Sequence, residues 1–272
     1  MTDLRCVIKF KTCDGIALRG ESLNILFLGL SALKEFLLNN FAARIQEAGF
    51  TSLIYNNRCW GSSGGEPQNK TDPWRQIEYI HAAISYSLTL SDIDPNQAVV
   101  WGSSGSGGNT LTATALDPQV KTMISQVPFV SRKSAQPTAP KQSSETVEQA
   151  RTSDHRVIPG TKESAEFFQD VSQKKLPPDF KWKNKITLQT YYHIFKHKPI
   201  QYIHRISPRP MLMLVAMKDS IIPTDVTMKA FDEAGDSKEL VKFDCGHFEP
   251  YQVEVFNRNV QVQIKLLRKH FS

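Results

Sequence analysis

The chain has 272 residues, 40% of them hydrophobic and 10% aromatic, with a formal net charge of +6, which is enough apolar content to bury a large core in one enzyme-sized unit. No stretch approaches the roughly 20 consecutive apolar residues of a membrane span, and the opening MTDLRCVIKF has neither an apolar signal core nor a small-residue cleavage site, so the expectation is a cytoplasmic protein with no membrane partner. Cys6, Cys13, Cys59 and Cys245 form no CxxC pair and no zinc spacing, which fits free thiols in a reducing compartment and predicts no metal centre and no cofactor.

In chain order, apolar runs of strand length alternate with segments of helical period. NILFLGL (24–30) reads as a strand and SALKEFLLNNFAARIQEAGF (31–50) as a helix, its apolar residues recurring at three and four. TSLIYNN (51–57) is a second strand, followed by a Gly/Ser loop and the helical DPWRQIEYIHAAISYSLTL (72–90). QAVVW (97–101) precedes a helix that begins near Gly107, and VKTMISQVPFV (120–130) is another strand. Nearly all-apolar strands that alternate with helices predict a parallel sheet covered on both faces, hence an α/β fold.

From Ser131 to Ile206 the composition shifts to Pro, Lys, Ser and aromatics, with helical patches at SSETVEQARTSD (143–154) and KESAEFFQDVSQ (162–173). Residues 131–205 hold 14 Lys+Arg against 7 Asp+Glu, so this stretch carries +7 and the remainder −1. PMLMLVAMKD (210–219) restores a buried strand, TMKAFDEAG (227–235) is a short helix, KELVKFD (238–244) a last strand and YQVEVFNRNVQVQIKLLRKHF (251–271) a terminal helix. The expected organisation is a core of residues 1–130 and 207–272 with a helical cap, residues 131–206, inserted into it.

The stretch WGSSGSGG (101–108) sits where a strand becomes a helix. A nucleophile on such a turn is held in a strained backbone conformation, and its neighbours two positions away must be small to avoid collision across the turn. Ser104 meets that demand, with Gly102 before it and Ser106 after it; Ser103 falls in the strand end and Ser106 in the first helical turn. A serine needs a base and an acid, and the order Ser, Asp, His is completed by Asp219 after MLMLVAM and His247 after KELVKFD. All three are placed at the carboxyl ends of strands, the edge where open α/β sheets carry their sites. In that reading His247 takes the Ser104 proton, Asp219 holds the imidazole, and the backbone N–H groups of Gly105 and Leu30 form the oxyanion hole.

With these residues the chain resembles the α/β-hydrolase superfamily, and within it the fungal polyketide transferase and thiohydrolase family, relatives of the dienelactone hydrolases. The resemblance rests on GLSALKEFLLNNFA, YNNRCWGSSGGEPQNKTDPW, WGSSGSGG, VKTMISQVPFV, RPMLMLVAMKDSIIP and CGHFEPY, and covers nearly the whole chain except the cap. It implies Ser104, Asp219 and His247 as the triad and an ester or thioester substrate of secondary metabolism. Where that family commonly has His-Gly before the oxyanion loop, this chain has Leu28-Gly29.

The expected reaction is formation of an acyl-enzyme at Ser104 and release of the acyl group to water. Transfer to another acceptor or cyclisation on the same triad is the alternative, and a catalytically silent binding protein of hydrolase fold is the alternative from another class. Of the cap aromatics, Trp182, Tyr191, Tyr192 and Phe195 are expected to line the pocket and favour a bulky apolar acyl group. The basic cap is suited to a carrier protein or coenzyme A holding that small-molecule acyl substrate, or is simply a solvated face. No motif points to nucleic acid, and a homodimer is left open. His193 and His197, four apart, lack the Glu of HExxH and a third ligand, and RCWGSSGGEP lacks the Lys-Ser/Thr of a phosphate loop.

Overall fold

The computed structural model describes residues 7–11, 15, 17–21, 25–27, 33–91, 93–131, 155–157, 162–176, 182–183 and 185–271. Its strands are β1 (Val7–Lys11), β2 (Ala17–Glu21), β3 (Ile25–Phe27), β4 (Leu53–Tyr55), β5 (Val99–Ser103), β6 (Thr122–Gln126), β7 (His155–Val157), β8 (Lys185–Thr187), β9 (Met211–Ala216) and β10 (Lys238–Phe243). Eight of them form one sheet in the order β1-β2-β4-β3-β5-β6-β9-β10. From β4 to β10 all neighbours are parallel, whereas β2 runs antiparallel to both β1 and β4. This first antiparallel pair was not readable from the sequence: VIKFK and ALRGE mix apolar residues with charged ones and glycine and form no continuous apolar run.

The helices are α1 (Leu38–Glu47), α2 (Pro73–Ser87), α3 (Gly105–Leu116), α4 (Lys162–Lys175), α5 (Leu188–Lys196), α6 (Thr224–Glu233) and α7 (Val253–Phe271). Local chemistry sets where α2 begins: Pro73 occupies its first turn, and the Asp72 carboxylate accepts the Trp74 and Arg75 N–H groups. Alternation along β5 divides the core between the two faces of the sheet. Val99 and Trp101 pack with Phe41 and Ile45 of α1 and with Val260 and Ile264 of α7, while Val100 packs with Ile77 and Ile80 of α2. Beneath α3 and α6 lies a third cluster containing Leu111, Met123, Met213 and Ala230. Both faces are thus covered, as the all-apolar MLMLVA of β9 requires.

Between β6 and β9, which are neighbours in the sheet, the chain departs and returns with β7, α4, β8 and α5. The antiparallel ribbon of β7 and β8 was not expected in a helical insertion, and the predicted helical patch 143–154 lies outside the described residues. Val171, Ile186, Leu188, Tyr191 and Phe195 of this segment pack on Leu33, Phe36 and Trp60 from the loops that follow β3 and β4. Polar ties join the same surfaces: Asn69 Nδ2 donates to the Lys185 carbonyl at 2.9 Å, and the Thr71 N–H to Thr190 Oγ1 at 2.9 Å.

Candidate active site

Ser104 is the single residue between β5 and α3, with φ 57° and ψ −125°, a region that L-residues avoid unless their surroundings hold them there. Those surroundings are specific. The Ser104 N–H donates to the Gln126 carbonyl at 2.9 Å, and its own carbonyl accepts from Phe129 N at 2.9 Å and Gly108 N at 3.2 Å. A Cβ on residue 102 would lie 2.2 Å from Thr110 Oγ1 and 2.3 Å from the Ser106 carbonyl, and one on residue 108 would lie 2.0 Å from the Phe129 carbonyl. Only glycine fits either position, so the small residues of WGSSGSGG are steric conditions for the turn.

The three serines have different environments. Ser103 and Ser106 are fully buried; Ser103 Oγ accepts from Tyr251 OH at 2.5 Å and Gln126 Nε2 at 3.1 Å, and Ser106 Oγ has no hydrogen-bond partner among the described residues. Ser104 alone of the three is partly exposed.

Hydrogen bonds continue beyond the ends of β9 and β10, from Met217 N to the Phe243 carbonyl at 2.8 Å and from Lys218 N to the Cys245 carbonyl at 2.9 Å, and carry Asp219 and His247 to the same place. His247 Nε2 stands 3.0 Å from Ser104 Oγ, and Nδ1 2.7 Å from Asp219 Oδ2. The other oxygen, Asp219 Oδ1, accepts the N–H groups of Ile221 and Ile222, both at 2.8 Å. The His247 and Asp219 side chains are 2% and 4% exposed. A hydroxyl, an imidazole and a desolvated carboxylate in this line can pass the serine proton to Nε2 while the carboxylate stabilises the resulting imidazolium. Asp225 is exposed in the first turn of α6.

Gly105 opens α3, where the first N–H groups have no intrahelical acceptor and point at the turn. Leu30 lies outside the described residues. Just beyond it the chain is anchored by a residue that sequence reasoning missed: Asn56, fully buried, accepts the Lys34 N–H at 2.8 Å through Oδ1 and donates Nδ2 to the Glu35 carboxylate at 3.3 Å. Its signal in the sequence is the Asn-Asn pair that directly follows the apolar run of β4.

Trp182, Tyr191 and Phe195 belong to the aromatic cluster over the loops after β3 and β4. Trp182 lies edge-on to Phe36 and stacks on Phe168. Trp182 Nε1 and Tyr191 OH are buried without a hydrogen-bond partner among the described residues, and burial pushes the Tyr191 hydroxyl up to about 12. Tyr192 is half-buried, and Lys196 of the next turn lies over its ring and donates to its hydroxyl.

The two histidines of this segment have separate partners. His193 Nδ1 is 3.5 Å from Asp72 Oδ2. His197 Nε2 is 2.9 Å from Thr112 Oγ1 on α3, and burial holds its pKa down at about 4. Among the described residues no three His, Cys, Asp or Glu side chains gather as a metal's donors would. The Cys245 thiol is pushed up to about 11, by burial first and then by the carboxylates of Glu249, Asp219, Asp244 and Glu163, so it stays protonated and is a poor nucleophile. The loop RCWGSSGGEP borders a cleft of about 220 Å³ lined by Arg58, Lys70, Arg75, Glu66, Asp72 and Gln76, among others.

The sheet order, the strained serine after β5 and the polar residues after β9 and β10 are those of an α/β-hydrolase, and the comparisons agree. The solved structure of the α/β-hydrolase GrgF from a Penicillium species superimposes with a TM-score of 0.85 over 98% of both chains at 25% identity. A polyketide transferase of Aspergillus fumigatus is 26% identical over 97% of this chain and 98% of its own length. A thiohydrolase of Eupenicillium brefeldianum is 27% identical over 83% of this chain and 81% of its own. No protein-family model matches the chain. The chain is an enzyme of the α/β-hydrolase class and resembles the fungal polyketide transferases and thiohydrolases.

Proposed function

We propose that this enzyme is a serine hydrolase that cleaves an ester or thioester of a bulky, largely apolar acyl group through an acyl-enzyme at Ser104. The observation that carries the reading is the unbroken line from Asp219 Oδ2 through His247 to Ser104 Oγ, at 2.7 and 3.0 Å, at a backbone conformation that presents the serine. His247 withdraws the Ser104 proton as Oγ attacks the acyl carbon. The tetrahedral oxyanion is held by the Gly105 N–H together with Leu30, and His247 then protonates the leaving thiol or alcohol. Water, activated by the same imidazole, releases the acid. Transfer of the acyl group to another acceptor uses the same steps with a different second nucleophile, and the names of the relatives, polyketide transferase and thiohydrolase, span both outcomes.

In this reading residues 131–206 are a cap that selects the acyl group, with Trp182, Tyr191, Tyr192 and Phe195 toward it. Trp182 Nε1 and Tyr191 OH, which have no hydrogen-bond partner among the described residues, favour an acyl chain that carries oxygen, because a buried donor gains most from an acceptor it otherwise lacks. The basic balance of the segment favours an acyl group delivered on a phosphopantetheine carrier or coenzyme A. A fluorophosphonate probe followed by intact-mass measurement tests the core of the proposal. A single adduct, lost in Ser104→Ala, is expected; an unlabelled wild-type protein that also turns over no ester or thioester would leave a binding protein of hydrolase fold.

A further inference from the structure

Glu163, in the first turn of α4, is the point where the inserted segment touches both loops that carry the candidate base and acid. Its carboxylate accepts the hydroxyl of Ser220, the residue next to Asp219. The same carboxylate accepts the Phe248 N–H at 3.4 Å, the residue next to His247. On the other side of His247, a Cβ at Gly246 would come within 2.8 Å of Glu163 Oε1, so the carboxylate lies directly against that glycine. One helical turn further along α4, Phe167 stacks on Phe248 with ring centroids 4.1 Å apart and planes 10° apart. Phe248 in turn meets the His247 ring edge-on at 4.9 Å. Residues at i and i+4 share one face of a helix, and this face of α4 is turned to the histidine loop.

We infer that Glu163 is a positioning residue: from the inserted segment it fixes the spacing of the Asp219 and His247 loops and so keeps the imidazole in line with Ser104. The inference rests on the serine-hydrolase reading above. Among the described residues, backbone hydrogen bonds zip the acid and base loops to each other as far as residues 218 and 245. Beyond that, Glu163 is a shared acceptor for the residue that follows each of them. A shift of about 1 Å in a catalytic group can cost about 10²-fold in rate, so a loosened clamp is read in turnover before it is read in folding. Sequence reasoning gave no signal for it, since Glu163 stands as one acid in a basic segment.

The test compares Glu163→Ala, Glu163→Gln and Ser220→Ala with the wild type, measuring kcat and KM on a short p-nitrophenyl ester and the rate at which a small fluorophosphonate labels the protein. Glu163→Ala is expected to lower kcat and the labelling rate by about 10- to 100-fold with KM changed less than about twofold. Glutamine keeps an acceptor oxygen, so Glu163→Gln is expected to recover to within about fivefold of wild type. Ser220→Ala removes one arm of the same clamp and should give a smaller loss of the same kind, which keeps the test usable if Glu163→Ala does not fold. Wild-type kcat in folded Glu163→Ala, a loss confined to KM, or a glutamine variant as impaired as alanine would overturn the inference. Ser104→Ala is the control: if it keeps turnover and labelling, the triad reading fails whatever Glu163 does, and if it is inert while Glu163→Ala is fully active, only the positioning role fails.

Discussion

The sheet edge and the inserted segment use polar groups in opposite ways. At the ends of β5, β9 and β10 the chemistry-bearing atoms are held from several sides: Ser104 by three backbone hydrogen bonds, and the Asp219 carboxylate by two N–H groups and an imidazole. In the segment between β6 and β9, aromatic contacts dominate, and Trp182 Nε1 and Tyr191 OH have no hydrogen-bond partner among the described residues. Groups that must react in a fixed geometry are over-determined, whereas groups that must adapt to a substrate keep hydrogen-bonding capacity in reserve. In the proposed function the reaction belongs to the first region and selection to the second, and that division can be broken at several points.

The largest effect is expected at Ser104. Ser104→Ala should lose turnover by about 10³- to 10⁶-fold and all fluorophosphonate labelling with an unchanged thermal midpoint, while Ser106→Ala and Ser103→Ala keep the label; labelling that survives in Ser104→Ala moves the nucleophile. Next, Asp219→Asn should cost about 10⁴-fold in kcat by favouring the wrong imidazole tautomer, and Asp225→Asn, exposed in α6, should change kcat little. The reverse ranking would move the acid.

Ser104 and Asp219 were legible because each lies just past an apolar run, and His247 because it follows the last strand-like segment, KELVKFD, in the order Ser, Asp, His. Glu163 and Tyr251 were not legible. Each acts on a residue distant in the chain, Glu163 on Ser220 and Phe248 and Tyr251 on Ser103, and no local pattern marks a contact made only after folding. The β1 and β2 pair was missed for a different reason, because VIKFK and ALRGE lack the continuous apolar run that identified other strands. Within the inserted segment the α4 pattern was readable from KESAEFFQDVSQ, whereas β7 and β8, three residues each, are too short to show a period of two.

His197 sharpens the comparison through stability. Its pKa is about 4 in the folded protein and about 6.5 when free, so the unfolded chain takes up its proton first as pH falls. Its contribution is fully present above about pH 6.5 and is lost progressively between there and about pH 4, on the order of 3 kcal/mol in total. Denaturant titrations at pH 7 and pH 4.5 should show this loss in the wild type and a smaller one in His197→Gln. Equal slopes for the two would remove His197 as the acid-sensitive joint between α5 and α3.

Smaller effects are expected at the aromatics of the inserted segment. Trp182→Ala or Tyr192→Ala should reduce kcat/KM on long or cyclic acyl thioesters by about 1 to 3 kcal/mol and spare p-nitrophenyl acetate; equal losses on both would show that these side chains only hold the fold. The smallest concerns Lys174, exposed and paired with Asp170 on α4. Lys174→Gln should raise KM for coenzyme A thioesters less than about threefold and only at low salt, because surface charge is screened over about 10 Å at 0.1 M.

One buried network ties the strand that leads to Ser104 to α7. Trp101 Nε1 donates to Gln263 Oε1 at 2.8 Å, Gln263 Nε2 to Asn259 Oδ1 at 2.8 Å, and Asn259 Nδ2 to Gln126 Oε1 at 2.6 Å, with Gln126 Nε2 reaching Ser103 Oγ at 3.1 Å. Until α7 docks, Trp101 Nε1 and Gln126 Oε1 lack the Gln263 and Asn259 groups that they meet in the folded protein, and burying polar atoms without such bonds is costly. The strand that leads to Ser104 therefore reaches its final dry surroundings when α7, whose Gln263 lies 162 residues beyond Trp101, has docked.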